Sequence, residues 1–204
     1  INTSFASAIK MVKIQYPGGF YRSSNRIQPE PFIPQFDCNV MLIVNESFGI
    51  EAFAIDDSTS MPLLKKRMNE YGENAFHFTN AFSNSNATDV SVSSIITGVL
   101  PYESKHKLHK MPFIWQWFKV GGYSTGFISA QKNSWMGFDI FFDNFADINL
   151  SADQIKEPFS NDGIDDGYMS GLVCHNIEKL KQNKRFFLYY NSNALHNPFL
   201  QSSK

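Results

Sequence analysis

NVMLIVNES, residues 39–47, opens as a short apolar run rich in Val and Ile and ends on a carboxylate, Glu46. A run of this length without polar alternation predicts a strand buried in a parallel sheet. Parallel strands need crossover connections, so the flanking segments decide whether the reading holds. SMPLLKKRMNEYG (60–72) predicts a helix capped by Ser60 and stopped at Gly72. AFHFTNAF (75–82) predicts a second strand, and a helix follows Thr88. MPFIWQWFKVGG (111–122) predicts an apolar helix, and YSTGFISA (123–130) a third strand. In the segment 162–183, Ile164, Tyr168, Leu172, Val173, Ile177 and Leu180 share one helical face. RFFLYYNS (185–192) predicts a fourth strand, while the aromatic run 135–148 is ambiguous. Strands alternating with helices give an α/β fold with a mostly parallel sheet flanked by helices. Residues 1–36, rich in Pro, Gly and Ser, read as a lead-in, and 37–204 as the α/β domain.

The chain has 204 residues, a net charge of −1 and 20 Phe. That length supports one sizeable core. No basic excess points to nucleic acid, and no apolar run is long enough to span a bilayer. The N-terminus is too polar for a signal peptide. Cys38 and Cys174 make no metal motif; they read as two buried thiols, with a disulfide as the alternative.

In parallel α/β sheets, ligands gather at the carboxyl ends of the strands. Glu46 follows the first strand, where it can hold a cation or simply cap a turn. Thr88 opens a helix in NSNATDVSVSSIITGVLP (84–101). Read alone, Thr88 or Asn86 is an N-cap. The same place also suits a nucleophile, because helix N-termini favour negative charge. A Thr hydroxyl then needs a base or a metal to activate it. His196 follows the last strand, and a lone His there is either structural or a ligand.

Taken in order, four segments resemble the alkaline phosphatase/sulfatase superfamily. CNVMLIVNESFG (38–49) looks like its opening strand and first metal carboxylate. FTNAFSNSNATDVSVSSIITGVLP (78–101) looks like its nucleophile segment, GGYSTGFIS (121–129) like the next strand, and FFLYYNSNALHNPF (186–199) like the strand leading to a substrate-side His. Where sulfatases carry a Cys or Ser motif with Pro and Arg, this chain has TDVSV (88–92). Thr there, with Glu at the first metal position, resembles the phosphoethanolamine transferase and lipoteichoic-acid synthase branch.

That resemblance implies Thr88 as nucleophile, Glu46 and Thr88 as metal ligands, and His196 and Asn86 as substrate-binding residues. It implies a divalent metal, zinc first, with manganese, magnesium or calcium as alternatives. The donor would be a phospholipid and the acceptor a lipid or glycan. The protein would be extracytoplasmic, periplasmic or at the cell surface, and anchored to the membrane by segments outside this chain. The family completes its metal site with a downstream Asp-His pair, and no such dipeptide occurs here. The expectation is therefore an alkaline-phosphatase-like domain that is C-terminally incomplete, with weak metal binding and little turnover from this chain alone. Alternatives are a sulfatase-like or phosphodiesterase hydrolase, and a non-catalytic remnant that binds a partner or a lipid head group.

Other motifs read more plainly. NDGIDDG (161–167) lacks EF-hand spacing and reads as a helix start. ESKHKLHK (103–110), with His106 and His109, reads as a solvated loop. The aromatic run from Trp135 to Phe145 reads as core rather than lipid-facing surface. Three glycosylation sequons, at Asn45, Asn86 and Asn149, read as coincidence.

Overall fold

The computed structural model describes residues 19–22, 25–47, 66, 69–76, 78, 80–134, 137–142, 146–155, 163–183 and 185–193. Among these, β1 (Val40–Asn45), β2 (Ser124–Ser129), β3 (Ile148–Ser151) and β4 (Phe186–Ser192) form one sheet in the order β1-β4-β2-β3. Every strand pair in it is parallel. The crossovers carry α1 (Thr88–Thr97), α2 (Lys105–Lys110), α3 (Ile114–Val120), α4 (Phe138–Phe141) and α5 (Asp166–Leu180). The α/β reading with a parallel sheet flanked by helices therefore holds. No helix among the described residues is long and apolar enough to cross a membrane.

The order of the strands explains their composition. β2 and β4 lie inside the sheet and are buried on both faces; FFLYY of β4 is a continuous apolar run, while β2 buries Ser124, Thr125 and Ser129 beside Phe127 and Ile128. β1 alternates between half-buried and exposed residues. Val40, Leu42 and Val44 pack on one core, while Met41 and Ile43 are exposed. That core gathers Val92 and Ile96 of α1, Leu108 of α2 and Trp115 of α3 against Phe127, Phe187 and Tyr189 of the sheet. Flat stacks such as Phe118 on Phe187 (4.1 Å) and Phe127 on Tyr189 (5.3 Å) account for much of the Phe content. A second core packs Met169, Val173 and Leu180 of α5 against Ile128, Leu188 and Tyr190. Phe20, from the lead-in, is built into the first core.

Residues 47–83 form a second compact unit. Within it, Lys66 and Asn69–Tyr71 are helical and Gly72–Asn74 form a 3-10 turn. The rest of the predicted helix 60–72, Ser60 included, lies outside the described residues. The strand predicted at 75–82 is not present among its described residues. Phe76, Phe78 and Phe82 are exposed, and an apolar run becomes a strand only by pairing, which none of these residues does.

Other expectations change in detail. Segment 103–110 is the helix α2, not a solvated loop; Ser104 accepts from Lys107 N at 3.2 Å as its cap. His106 is exposed, but His109 is only 1% exposed. The buried stripe of α5 is Met169, Val173, Asn176 and Leu180, which leaves Tyr168 turned outward. Asp165 starts that helix by accepting from Tyr168 N at 3.1 Å, as the acidic segment predicted. The ambiguous aromatic run resolves into α4 and the start of β3, with Phe138, Phe141 and Phe142 in the core; Trp135 and Phe145 lie outside the described residues. Cys38 and Cys174 are free and exposed rather than buried. Cys38 stands two residues ahead of β1, and Cys174 falls one residue past the buried face of α5.

Candidate active site

The sheet delivers Glu46 by alternation. Residues 40, 42, 44 and 46 are the half-buried positions of β1 and its extension, so Glu46 follows Val44 towards the face that α1 covers. The next residue, Ser47, has φ 57, a left-handed conformation that is unusual outside glycine and ends the strand abruptly. From the other side, α1 brings in Thr88. The N-cap of α1 is Ala87, extended and without a side-chain cap bond, so Thr88 is the first helical residue rather than the cap. Neither Thr88 nor Asn86 occupies the cap position. The Thr88 hydroxyl donates instead to Glu46 Oε1 at 2.9 Å. The two residues are 42 apart in sequence, and they meet at the carboxyl end of β1.

The helix start is held from both sides. Ala87 N donates to Ser85 Oγ at 3.1 Å, and Ser91 Oγ donates to Asn84 Oδ1 at 2.7 Å. The backbone N–H groups of Thr88, Asp89 and Val90 have no intrahelical acceptor, because they belong to the first turn. An oxyanion formed on Thr88 Oγ1 would therefore lie beside the positive end of the helix dipole. A hydroxyl bonded to a carboxylate, at a helix N-terminus, on a strand's carboxyl edge, is an arrangement suited to nucleophilic attack. Glu46 also reaches the buried sheet. Burial first, and the Glu46 charge second, hold the Tyr189 phenol well above its ordinary pKa. Tyr189 thus remains a neutral wall of this edge.

The carboxyl end of β4 is fixed by a second carboxylate that sequence reading missed. Asp166, at the start of α5, accepts from Tyr190 Oη at 2.6 Å. It also accepts from Asn193 N, at 3.1 Å and 3.0 Å to its two oxygens. Gly163 allows this closure, since a Cβ there would stand 2.6 Å from the Ala130 carbonyl oxygen and 2.4 Å from Asn193 Nδ2. The signal in sequence was a Tyr at the end of an apolar strand, whose hydroxyl must find a partner once buried. Tyr190→Phe is expected to cost about 1.5–3 kcal/mol, read as a lower denaturant midpoint.

Of the remaining predicted site residues, Asn86 is exposed two residues before Thr88. His196 lies outside the described residues. For the implied metal, Glu46 and Thr88 supply two oxygen donors. Among the described residues no group of three or more His, Cys, Asp or Glu gathers to hold an ion. Structural zinc sites take about four ligands, so these two fit part of a coordination sphere and not a whole one.

Comparison with solved structures shows the fold. A protein in the alkaline phosphatase superfamily from Vibrio parahaemolyticus matches with a TM-score of 0.64 and 17% identity, over 97% of this chain and 52% of that one. The lipoteichoic acid synthase LtaP from Listeria monocytogenes matches with a TM-score of 0.63 and 17% identity, over 95% of this chain and 47% of that one. The chain thus spans about half the length of these structures. A comparison with curated proteins finds no match. The sulfatase family model matches residues 38–204, which begin just ahead of β1 and take in both Glu46 and Thr88, and the chain therefore belongs to the sulfatase family.

Proposed function

We propose that this chain carries the nucleophile half of a phospho-head-group transferase. The transferred group would be of the phosphoethanolamine or glycerolphosphate type. The observation that carries the reading is the Thr88 hydroxyl bonded to Glu46 at 2.9 Å on the first turn of α1. Thr rather than Cys at this position favours transfer of a phosphoryl group over sulfatase chemistry. In the first step Thr88 Oγ1 attacks the phosphorus of a phospholipid head group. The bond from phosphorus to the diacylglycerol oxygen breaks, and diacylglycerol leaves as the alcohol, taking up the proton that the Thr88 hydroxyl gives up. In the second step a hydroxyl of a lipid or glycan acceptor attacks the same phosphorus and expels Thr88 Oγ1, which takes up the proton the acceptor gives up and is again a hydroxyl. Glu46 orients the hydroxyl and accepts its hydrogen bond, and the N-terminus of α1 favours the charge on the phosphoryl oxygens.

Glu46 and Thr88 would also be two of the ligands of a divalent cation. Such a cation, when bound, lowers the pKa of a coordinated hydroxyl. Asn86 and His196 would contact the substrate. A phospholipid donor implies work at a membrane surface, and the likeness to lipoteichoic acid synthase supports the face outside the cytoplasm.

The test uses the product of the whole gene, vesicles of head-group-labelled phosphatidylethanolamine or phosphatidylglycerol, and zinc or manganese. The expected result is diacylglycerol release with label retained on the protein. Release of labelled head group to water, with none on the protein at any time, would favour a hydrolase. The incomplete ligand set among the described residues favours one further reading, a non-catalytic member of the family. That reading gains if the gene product binds no divalent ion by titration calorimetry and releases no diacylglycerol.

A further inference from the structure

Residues Gly19–Arg22 and Asn25–Ile27 of the lead-in lie as a strap across α2 and α4. Phe20 stacks on Phe141 at 4.4 Å and on Phe138 at 5.3 Å. Ile27 N donates to the Lys110 carbonyl at 2.8 Å. Arg26 Nη1 donates to the carbonyls of Leu108 (3.1 Å) and Met111 (2.7 Å), and Nη2 to that of Phe141 (3.4 Å). The strap therefore satisfies carbonyls at the end of α2 that the helix itself leaves open. The Arg26 guanidinium also stands 3.8 Å over the Phe113 ring and 4.7 Å over that of Phe141.

His109 is enclosed at the centre of this contact. Its ring stacks on Tyr21 at 3.6 Å and 13°, and meets Phe141 edge-on at 5.0 Å and Phe20 at 5.9 Å. Both ring nitrogens are buried without a hydrogen-bond partner among the described residues. The charges that face it are Arg26, from the strap, and Lys105, one turn earlier on α2; the residue α4 presents is Phe141. Lys105 also bonds the Gly19 carbonyl and stands 5.4 Å over the Tyr21 ring. A neutral imidazole fits this aromatic slot. A charged one would sit in it without a partner, beside two cations.

We propose that His109 is an acid-sensitive latch, which while neutral holds strap residues 19–22 and 25–27 on α2 and when protonated releases them from an intact core. Burial first, then the charges of Arg26 and Lys105, hold His109 down from 6.5 to about 4. Its pKa is thus lower when the strap is docked than when it is free. Docking is fully favoured above the free value, weakens as pH falls below it, and the contribution is lost by the docked value. The full shift sets the upper limit of this weakening, on the order of a hundredfold between pH 7 and pH 4, since Phe141 and Lys105 stay beside the ring when the strap leaves.

The test is hydrogen–deuterium exchange of the full chain from pH 7 to pH 4, corrected for intrinsic rates, on the wild type and on His109→Phe. The expected result is loss of protection in the peptide covering residues 19–27 as pH falls, with β2 and β4 still protected. His109→Phe keeps the ring contacts and cannot be charged, so its strap should remain protected at pH 4. The proposal is overturned if the wild-type strap keeps its protection down to pH 4, or if strap and sheet lose it together. It is equally overturned if His109→Phe releases its strap at the same pH. The wild-type comparison of strap with sheet decides the matter even if the variant does not fold.

Discussion

Thr88→Ala is expected to lower head-group transfer by about 10⁴-fold or to background, because it removes the attacking oxygen. The fold should survive the change. Thr88 is half-buried at the first position of α1, and alanine is a good helix former there. The loss of one hydrogen bond to Glu46 costs about 0.5–1.5 kcal/mol, so the denaturant midpoint should move little. Thr88→Ser keeps the hydroxyl and should retain most of the transfer. This triplet separates a nucleophile from a structural threonine, since a structural role would show in stability and not in chemistry. Retained transfer in Thr88→Ala would move the nucleophile elsewhere in the chain.

Glu46 should rank second. Glu46→Gln keeps the shape and one acceptor oxygen but removes the charge, and transfer is expected to fall by about 10²–10⁴-fold. Calorimetric titration with zinc should show a parallel loss of affinity, because the carboxylate of the Glu46–Thr88 pair of oxygen donors is weakened. The two readouts separate the roles of this carboxylate. Loss of transfer with unchanged metal affinity would make Glu46 a base or orienting group for Thr88 Oγ1. Loss of both makes it a ligand as well.

Much of the fold could be read from the chain because β1 and β4 are written as apolar runs and STGFIS follows an apolar helix ended by two glycines. NVMLIVN, STGFIS and FFLYYNS became β1, β2 and β4 within a residue or two. β3 was missed because INLS is short, half polar and only half-buried, so it carries little of that signal. The opposite error came at 75–82, where alternating Phe residues imitate a strand that the described residues do not form. Sequence showed that a helix starts near Thr88, but not that Ala87 would take the cap and free the Thr88 side chain for Glu46. Their contact joins residues 42 apart, and local pattern says nothing about such a distance. His109 was invisible for a similar reason. KHKLHK looks solvated, and what buries His109 is a strap from the lead-in.

On the proposed mechanism Thr88 carries the phosphoryl group between donor and acceptor. The most direct measurement is tandem mass spectrometry of the peptide containing residue 88, from the whole gene product quenched at short times with labelled phospholipid and no acceptor. The expected result is a phosphodiester of the head group on Thr88, formed as diacylglycerol appears and discharged when acceptor is added. Diacylglycerol released at the same rate with Thr88 unmodified throughout, or the label found on a different residue, would contradict it.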